Sequence, residues 1–355
     1  MKRAVVILCS FFLASYGCKK DPTSPPTPPP PPVVKGVYVL NEGNFGDPTG
    51  ARLTLYDVNS DSTFRDVFEA ANNGMHLGSL GDDMKLLDGK AYVLMSGSEN
   101  IIVLSLSNHM ILQSAFFPGA VPHDLLIDAA RNRAYITRLF RASILVINLS
   151  TLSVIDSVSV GDNPQGMAMI GNQLYVCNSG YGSGRTVSVI DVGADSVNKT
   201  LTIGDGPANA AMAPDGKLWV SCTGNAFGMP ATTGKVFIIS PTLNNVTDSI
   251  SFSENLWGSI AMGTDGHAYV IGVTSGSFYG GPIHRINAAS KAVRLNFVGG
   301  TFYAVAVDKV TGDLYLADAK NFASDGEVRI YTKDGVLKKA FPAQRGPGVI
   351  AFKRE

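Results

Sequence analysis

Asp82-Asp83 and His123-Asp124 place three carboxylates and an imidazole in two short segments of similar pattern, Gly81-Asp82-Asp83-Met84 and Pro122-His123-Asp124-Leu125. Gln165 and Asn209 add amides in two further segments of the same kind, each opened by a proline, Pro164 and Pro207. Carboxylates gathered around a histidine are suitable ligands for a divalent cation such as Ca²⁺ or Zn²⁺, and a metal held there would assist hydrolysis. The same residues also suit a wet channel lining in which each Asp caps a turn. Both readings stay open from sequence alone.

A second group is aromatic. Phe140, Tyr181, Phe227 and Tyr279 lie in segments rich in Gly, Ser and Asn, and Trp257, Phe302 and Tyr303 precede apolar runs. Stiff, flat rings beside adaptable amides suit a large amphipathic ligand or a protein partner. Together the ligand-binding candidates are Asp82, Asp83, His123, Asp124, Gln165, Asn209, Trp257, Phe302, Tyr303, Phe140, Tyr181, Phe227 and Tyr279. Arg138 and Arg141, on either side of Phe140, are available to an anionic group.

No catalytic residue is assigned. The chain has no G-x-S-x-G elbow, no H-E-x-x-H pair and no phosphate-binding loop. Its five histidines are scattered. Lys+Arg and Asp+Glu balance at 29 each, so no electrostatic case exists for nucleic acid. Cys177 and Cys222 fall at odd-offset positions of neighbouring repeats, which points them to opposite sheet faces and predicts free buried thiols.

These residues must be positioned by a repeat of 40 to 54 residues. An aromatic followed by an aliphatic residue recurs at Tyr38, Tyr92, Tyr135, Tyr175, Trp219, Tyr269 and Tyr315. A second landmark, the start of the next apolar run, recurs near Leu53, Ile101, Ile144, Val187, Val236, Ile283 and Val328. Each repeat reads as four short strands bounded by Gly, Asn, Asp or Pro. The first repeat lacks a first strand, and Gly346 to Phe352 is a surplus segment with that pattern. A ring hides both edges, so the expected fold is all-β: a seven-bladed β-propeller with the C-terminal strand closing the first blade. Aligning the first strands puts Gly348, Asp82, His123, Gln165, Ala208, Gly258 and Tyr303 at equivalent positions around the channel mouth.

Ahead of the repeats, Lys2 and Arg3 precede an apolar stretch from Ala4 to Ala14, and Ser15-Tyr16-Gly17-Cys18 follows. That is the layout of a signal peptide, too short to span a bilayer. Eight prolines lie among the eleven residues 22–32, which favours extended polyproline II with a rise of about 3.1 Å per residue. The expected organisation is a lipoprotein signal peptide over 1–17, a Pro-rich tether over 18–35 with acylated Cys18, and the propeller over 36–355.

Ser15-Tyr16-Gly17-Cys18 resembles a bacterial lipobox, although Leu is more usual where Ser15 stands. Tyr175-Val176-Cys177-Asn178, Val187-Ser188-Val189-Ile190-Asp191 and a strand ending at Gly204 resemble the YVTN or YncE-like repeat. Tyr38-Val39-Leu40-Asn41-Glu42-Gly43-Asn44-Phe45-Gly46, with Leu53 to Asp57 and Phe68 to Asn73, resembles the opening blade of Bacteroidetes propeller lipoproteins. Some of that group capture cobalamin at the cell surface and hand it to a TonB-dependent transporter. The resemblance implies a surface-exposed outer-membrane lipoprotein that binds a ligand such as a corrinoid, or a partner protein. No cofactor is expected, the Asp/His residues themselves leaving open a bound divalent cation, and the membrane is contacted only through the lipid. The alternative is a propeller enzyme, a metal-assisted hydrolase or lactonase using Asp82, Asp83, His123 and Asp124.

Overall fold

The computed structural model describes residues 32–274 and 280–354. Cys18 and the signal and tether segments up to residue 31 lie outside the described residues, as does Tyr279. Seven four-stranded antiparallel sheets follow one another, and they are the seven blades. The first strand of each blade touches the first strand of the next. The series runs Gly81–Leu87, Pro122–Asp128, Pro164–Ile170, Pro207–Met212, Leu256–Met262, Ala304–Val307 and Pro347–Arg354, then returns to Gly81–Leu87. A closed circle of contacts is a ring, and the seven-bladed propeller expected from the two landmarks is the fold.

The aromatic landmark has a packing reason. Among the described residues, seven hydrophobic clusters fill the seven layers between successive blades. Side chains alternate along a strand, so Tyr38 and Leu40 face blade 2 while Val37 and Val39 face blade 7. Every landmark aromatic points into the layer shared with the following blade. Tyr135, Tyr175, Trp219 and Tyr269 are fully buried. Second and third strands are covered on both sides, which is why they read as continuous apolar runs instead of alternating ones.

The same geometry revises the reading of the two cysteines. Cys177 and Cys222 do lie on opposite faces of their own sheets, but opposite faces of adjacent blades look at one another. Both side chains therefore enter the single layer between blades 4 and 5. They are free and buried as predicted, and burial pushes both thiols well above the ordinary range.

Closure is made by Pro347–Arg354 pairing with Val34–Asn41, so that blade 1 is assembled from both ends of the chain. A polar network locks the seam. The buried Asn41 donates through Nδ2 to the Val39 and Arg52 carbonyls and to Thr54 Oγ1, each at 3.1 Å. Its Oδ1 accepts from the Gln344 backbone at 2.9 Å. Thr54 in turn donates to Gln344 Oε1 at 3.0 Å. Among the described residues no helix is long and apolar enough to cross a membrane; the one α-helix, Val67–Ala71, buries Val67 and Phe68 between blades 1 and 2.

Asn41→Ala orphans several buried donors and acceptors at once and should lower the unfolding free energy by about 1–3 kcal/mol. Urea denaturation followed by circular dichroism checks this. A loss under about 0.5 kcal/mol would mean that the network adds little to closure.

Candidate functional site

The first strands surround a cavity of about 960 Å³ at the ring centre. Its wall contains all seven residues aligned at the channel mouth from sequence, Gly348, Asp82, His123, Gln165, Ala208, Gly258 and Tyr303, and the seven that follow them. In a regular strand two consecutive side chains would point to opposite faces. Here a bulge opens the strand, with register shifts between Gly81 and Asp83, Pro122 and Leu125, Pro164 and Met167, Pro207 and Asn209, and Leu256 and Ile260. The bulge leaves Asp82, and both His123 and Asp124, out of the ladder and re-aims them, while Asp83 keeps its partner Leu94. That is how Asp82 and Asp83, or His123 and Asp124, reach one cavity together.

The four acidic and basic candidates divide into two roles. Asp83 accepts at Oδ1 from the Met84 N–H at 2.8 Å and at Oδ2 from the Leu125 N–H of the next blade at 2.9 Å. Asp124 repeats the second bond one blade later, accepting from Met167 N–H at 2.9 Å. Lys85 Nζ sits 2.7 Å from Asp83 and 3.9 Å from Asp124. Asp83 and Asp124 are thus clasps between neighbouring inner strands. Enclosure raises the Asp124 carboxyl, opposed by Lys85 and reinforced by Asp83. Enclosure would lower the Lys85 ammonium, but the charges of Asp83 and Asp124 outweigh it and hold it up.

Asp82 and His123 point inward from adjacent blades. His123 Nδ1 donates to Asp82 Oδ1 at 3.0 Å, and Asp82 Oδ2 accepts from Ser96 N–H at 3.2 Å. Burial alone would depress the imidazole; the bond to Asp82 and the surrounding carboxylates raise it instead. Among the described residues no three His, Cys, Asp or Glu side chains are arranged to hold a metal ion.

Glu42 completes the group and was absent from the candidates. It follows Asn41 directly, on the loop leaving the seam, so no alignment of first strands could find it; its signal was a lone acid in the Asn41-Glu42-Gly43-Asn44 stretch. Its Oε2 accepts from Tyr303 Oη at 3.0 Å. Gly348 makes room for it, since a Cβ there would come within 2.4 Å of Glu42 Oε1. Burial pushes the carboxyl up to about 8; the Asp82 charge adds to this, and the Tyr303 bond and His123 oppose it. Burial likewise raises the Tyr303 phenol well above its ordinary value, with Glu42 and Asp82 adding.

The rest of the wall is aromatic and amide. Trp257 and Tyr303 lie 5.6 Å apart between ring centres, and Tyr303 meets Phe322 edge-on at 5.0 Å. Tyr181 and the almost fully exposed Phe227 line the cavity together with Gln165, Asn209, Asn225 and Asn255. Phe140 is exposed and packs on Tyr181 at 5.5 Å, so it borders the mouth without lining the cavity. Phe302 is a correction to the expected set. It is fully buried between blades 6 and 7, edge-on to Tyr331 at 6.3 Å, because the alternation that turns Tyr303 inward turns its neighbour into the core.

Asp83→Ala leaves the Leu125 N–H and Lys85 without their acceptor and should cost about 1–3 kcal/mol of stability. Gln165→Ala removes no hydrogen bond among the described residues and should stay within about 0.5 kcal/mol. Equal losses in chemical denaturation would refute the division of roles. Glu42 titrates near 8 when folded against its ordinary 4.5 when unfolded, so the folded state holds an extra proton between those values. Stability supplied by this group is complete below about 4.5 and is lost as pH rises through about 8. Glu42→Gln should therefore gain on the wild type steadily as pH is raised across that window, measured as the difference in Tm.

Against solved structures, the chain is similar to a quinonprotein alcohol dehydrogenase-like protein from Bacteroides thetaiotaomicron. The TM-score is 0.70 at 14% identity, over 90% of this chain and 79% of the other. A protein from Lactobacillus plantarum gives a TM-score of 0.68 at 14% identity, over 90% of this chain and all of the other. Kuenenia stuttgartiensis hydrazine synthase gives 0.62 at 17% identity, over 73% and 85% of the two chains. At such identities the likeness concerns the fold. No curated protein matches the sequence. Residues 35–325 match the family described as a domain of unknown function, DUF5074, and since that match takes in most of the chain, the protein belongs to the DUF5074 family.

Proposed function

We propose that the protein is a ligand-binding propeller of the cell envelope, which receives one amphipathic organic molecule in the central cavity. The observation that carries this reading is the two-sided wall. Charged groups occupy blades 1 to 3, while rings and amides occupy blades 4 to 7, around a cavity within the size range of small-molecule sites. A purely structural channel has no need of Trp257, Tyr181 and Phe227 facing solvent-filled space.

The finer reading rests on the sequence. The lipobox-like Ser15-Tyr16-Gly17-Cys18 supports acylation at Cys18, and the Pro-rich stretch supports a spacer to an outer-membrane surface. Likeness of the first blade to Bacteroidetes propeller lipoproteins, with YncE-like repeats behind it, supports capture of a corrinoid and delivery to a TonB-dependent transporter. A corrinoid carries peripheral amides that suit Gln165, Asn209, Asn225 and Asn255, and its ring would rest on the aromatic rim. The metal-assisted hydrolase has weaker support, because Asp83 and Asp124 are already engaged by backbone N–H groups of the next blade.

Isothermal titration of the protein with cyanocobalamin is the direct test. Binding at micromolar concentration, weakened about ten-fold or more by Trp257→Ala, is the expected outcome. No heat at those concentrations would exclude the corrinoid. Binding untouched by Trp257→Ala would move the site away from the cavity.

A further inference from the structure

The cavity has a polar end whose charges do not balance. Glu42, Asp82, Asp83 and Asp124 face it, and among the described residues the only cationic groups in its wall are Lys85 and His123. Lys85 is held between Asp83 and Asp124, and His123 is tied to Asp82. That leaves Glu42. Its Oε2 accepts from Tyr303, while Oε1 has no hydrogen-bond partner among the described residues and lies where the absent side chain of Gly348 leaves space. Asp82 is close enough to disfavour the Glu42 charge. Two enclosed like charges are costly unless a positive charge comes between or beside them.

Rings stand at the same spot. The phenol bonded to Glu42 belongs to Tyr303, whose ring packs against Trp257 on one side and Phe322 on another. A carboxylate next to tyrosine and tryptophan faces is the environment that attracts an organic ammonium, through charge on one side and ring quadrupoles on the other. An anion is opposed by the same carboxylates. A bare metal ion finds one uncommitted carboxylate oxygen and no third ligand nearby, consistent with the absence of any metal-holding trio among the described residues.

We propose that this end of the cavity recognises a protonated amine, seated against Glu42 and Asp82 with its hydrocarbon part against Tyr303 and Trp257. The inference rests on the cavity being the ligand site, and it is independent of whether the rim takes a corrinoid. Binding of the cation draws the proton from Glu42, so affinity rises with pH as Glu42 ionises. Asp82, His123 and Tyr303 face Glu42: the Asp82 bond holds the His123 imidazole above its ordinary value, any loss of that charge with rising pH favours a cation in the same sense, and Tyr303 stays neutral.

Three probes of one shape decide it: benzylammonium, benzyl alcohol and benzoate, titrated calorimetrically into the full-length protein. Benzylammonium is expected to bind about ten-fold tighter than the alcohol, with benzoate weakest. Its affinity should climb between about pH 6 and about pH 8.5. Glu42→Gln, which keeps an acceptor for Tyr303, should erase most of the preference for the cation and most of the climb. Asp82→Asn provides a second variant and should reduce the preference in the same direction. If the alcohol or benzoate binds as well as the amine, and Trp257→Ala weakens it, the cavity is a ligand site and the cation assignment is wrong. If none of the three binds, the amine proposal fails, and the cavity then depends on the corrinoid titration alone.

Discussion

Ring closure is the constraint on which everything else rests. Seven twisted sheets can surround an axis only if the seventh meets the first, and an unpaired strand at that junction would leave a row of backbone groups without partners. Pairing of Pro347–Arg354 with Val34–Asn41 solves this by lending blade 1 a strand from the far end of the chain. The Asn41, Thr54 and Gln344 bonds make that loan specific in register, since each partner is buried and has few alternatives. The C-terminal strand is also the inner strand of its blade, so the same pairing completes the wall of the cavity.

The candidate site inherits its composition from the seam. Glu42 leaves the first strand, Gly348 lies in the closing strand, and Tyr303 belongs to the last full blade. Three residues remote in sequence meet because the ring closes there. Two carboxylates side by side in an enclosed space are a cost that a purely structural channel would shed. Elsewhere in the inner ring the equivalent positions carry small or neutral residues: Gly166, Ala208, Gly258, Ser259 and Ala304. The charge is thus concentrated in one arc beside the junction.

Much of this was legible in the sequence because propeller strands carry redundant signals. The aromatic landmark is an inter-blade packing residue and so recurs once per blade, and the surplus terminal strand stood out as the piece the first repeat lacked. First-strand alignment found the inner ring, because most of the seven first strands open with a bulge at the aligned positions. What stayed hidden depends on three-dimensional facts that no repeat frame encodes. Phe302 and Tyr303 are adjacent and aromatic, and only the strand's facing decides that one is core and the other wall. Opposite sheet faces suggested separation for Cys177 and Cys222, whereas adjacent blades bring opposite faces into one layer. Glu42 was invisible because it sits off the repeat, on a loop whose position is set by closure.

Part of the acidic cluster serves the fold. Asp83 and Asp124 hold the N–H groups of Leu125 and Met167, two repeat-equivalent bonds that tie blade 2 to blade 3 and blade 3 to blade 4. The series ends at Gly166, where a side chain would collide with Asn209, and Asn209 turns instead to its own neighbour, Ala210. Fold requirements therefore consume two carboxylates and the one lysine. What remains for chemistry is Asp82 with His123 and Glu42 with Tyr303, two hydrogen-bonded pairs side by side at the charged end. A site of that kind can hold a positive charge, and its aromatic flank sets what that charge must be attached to.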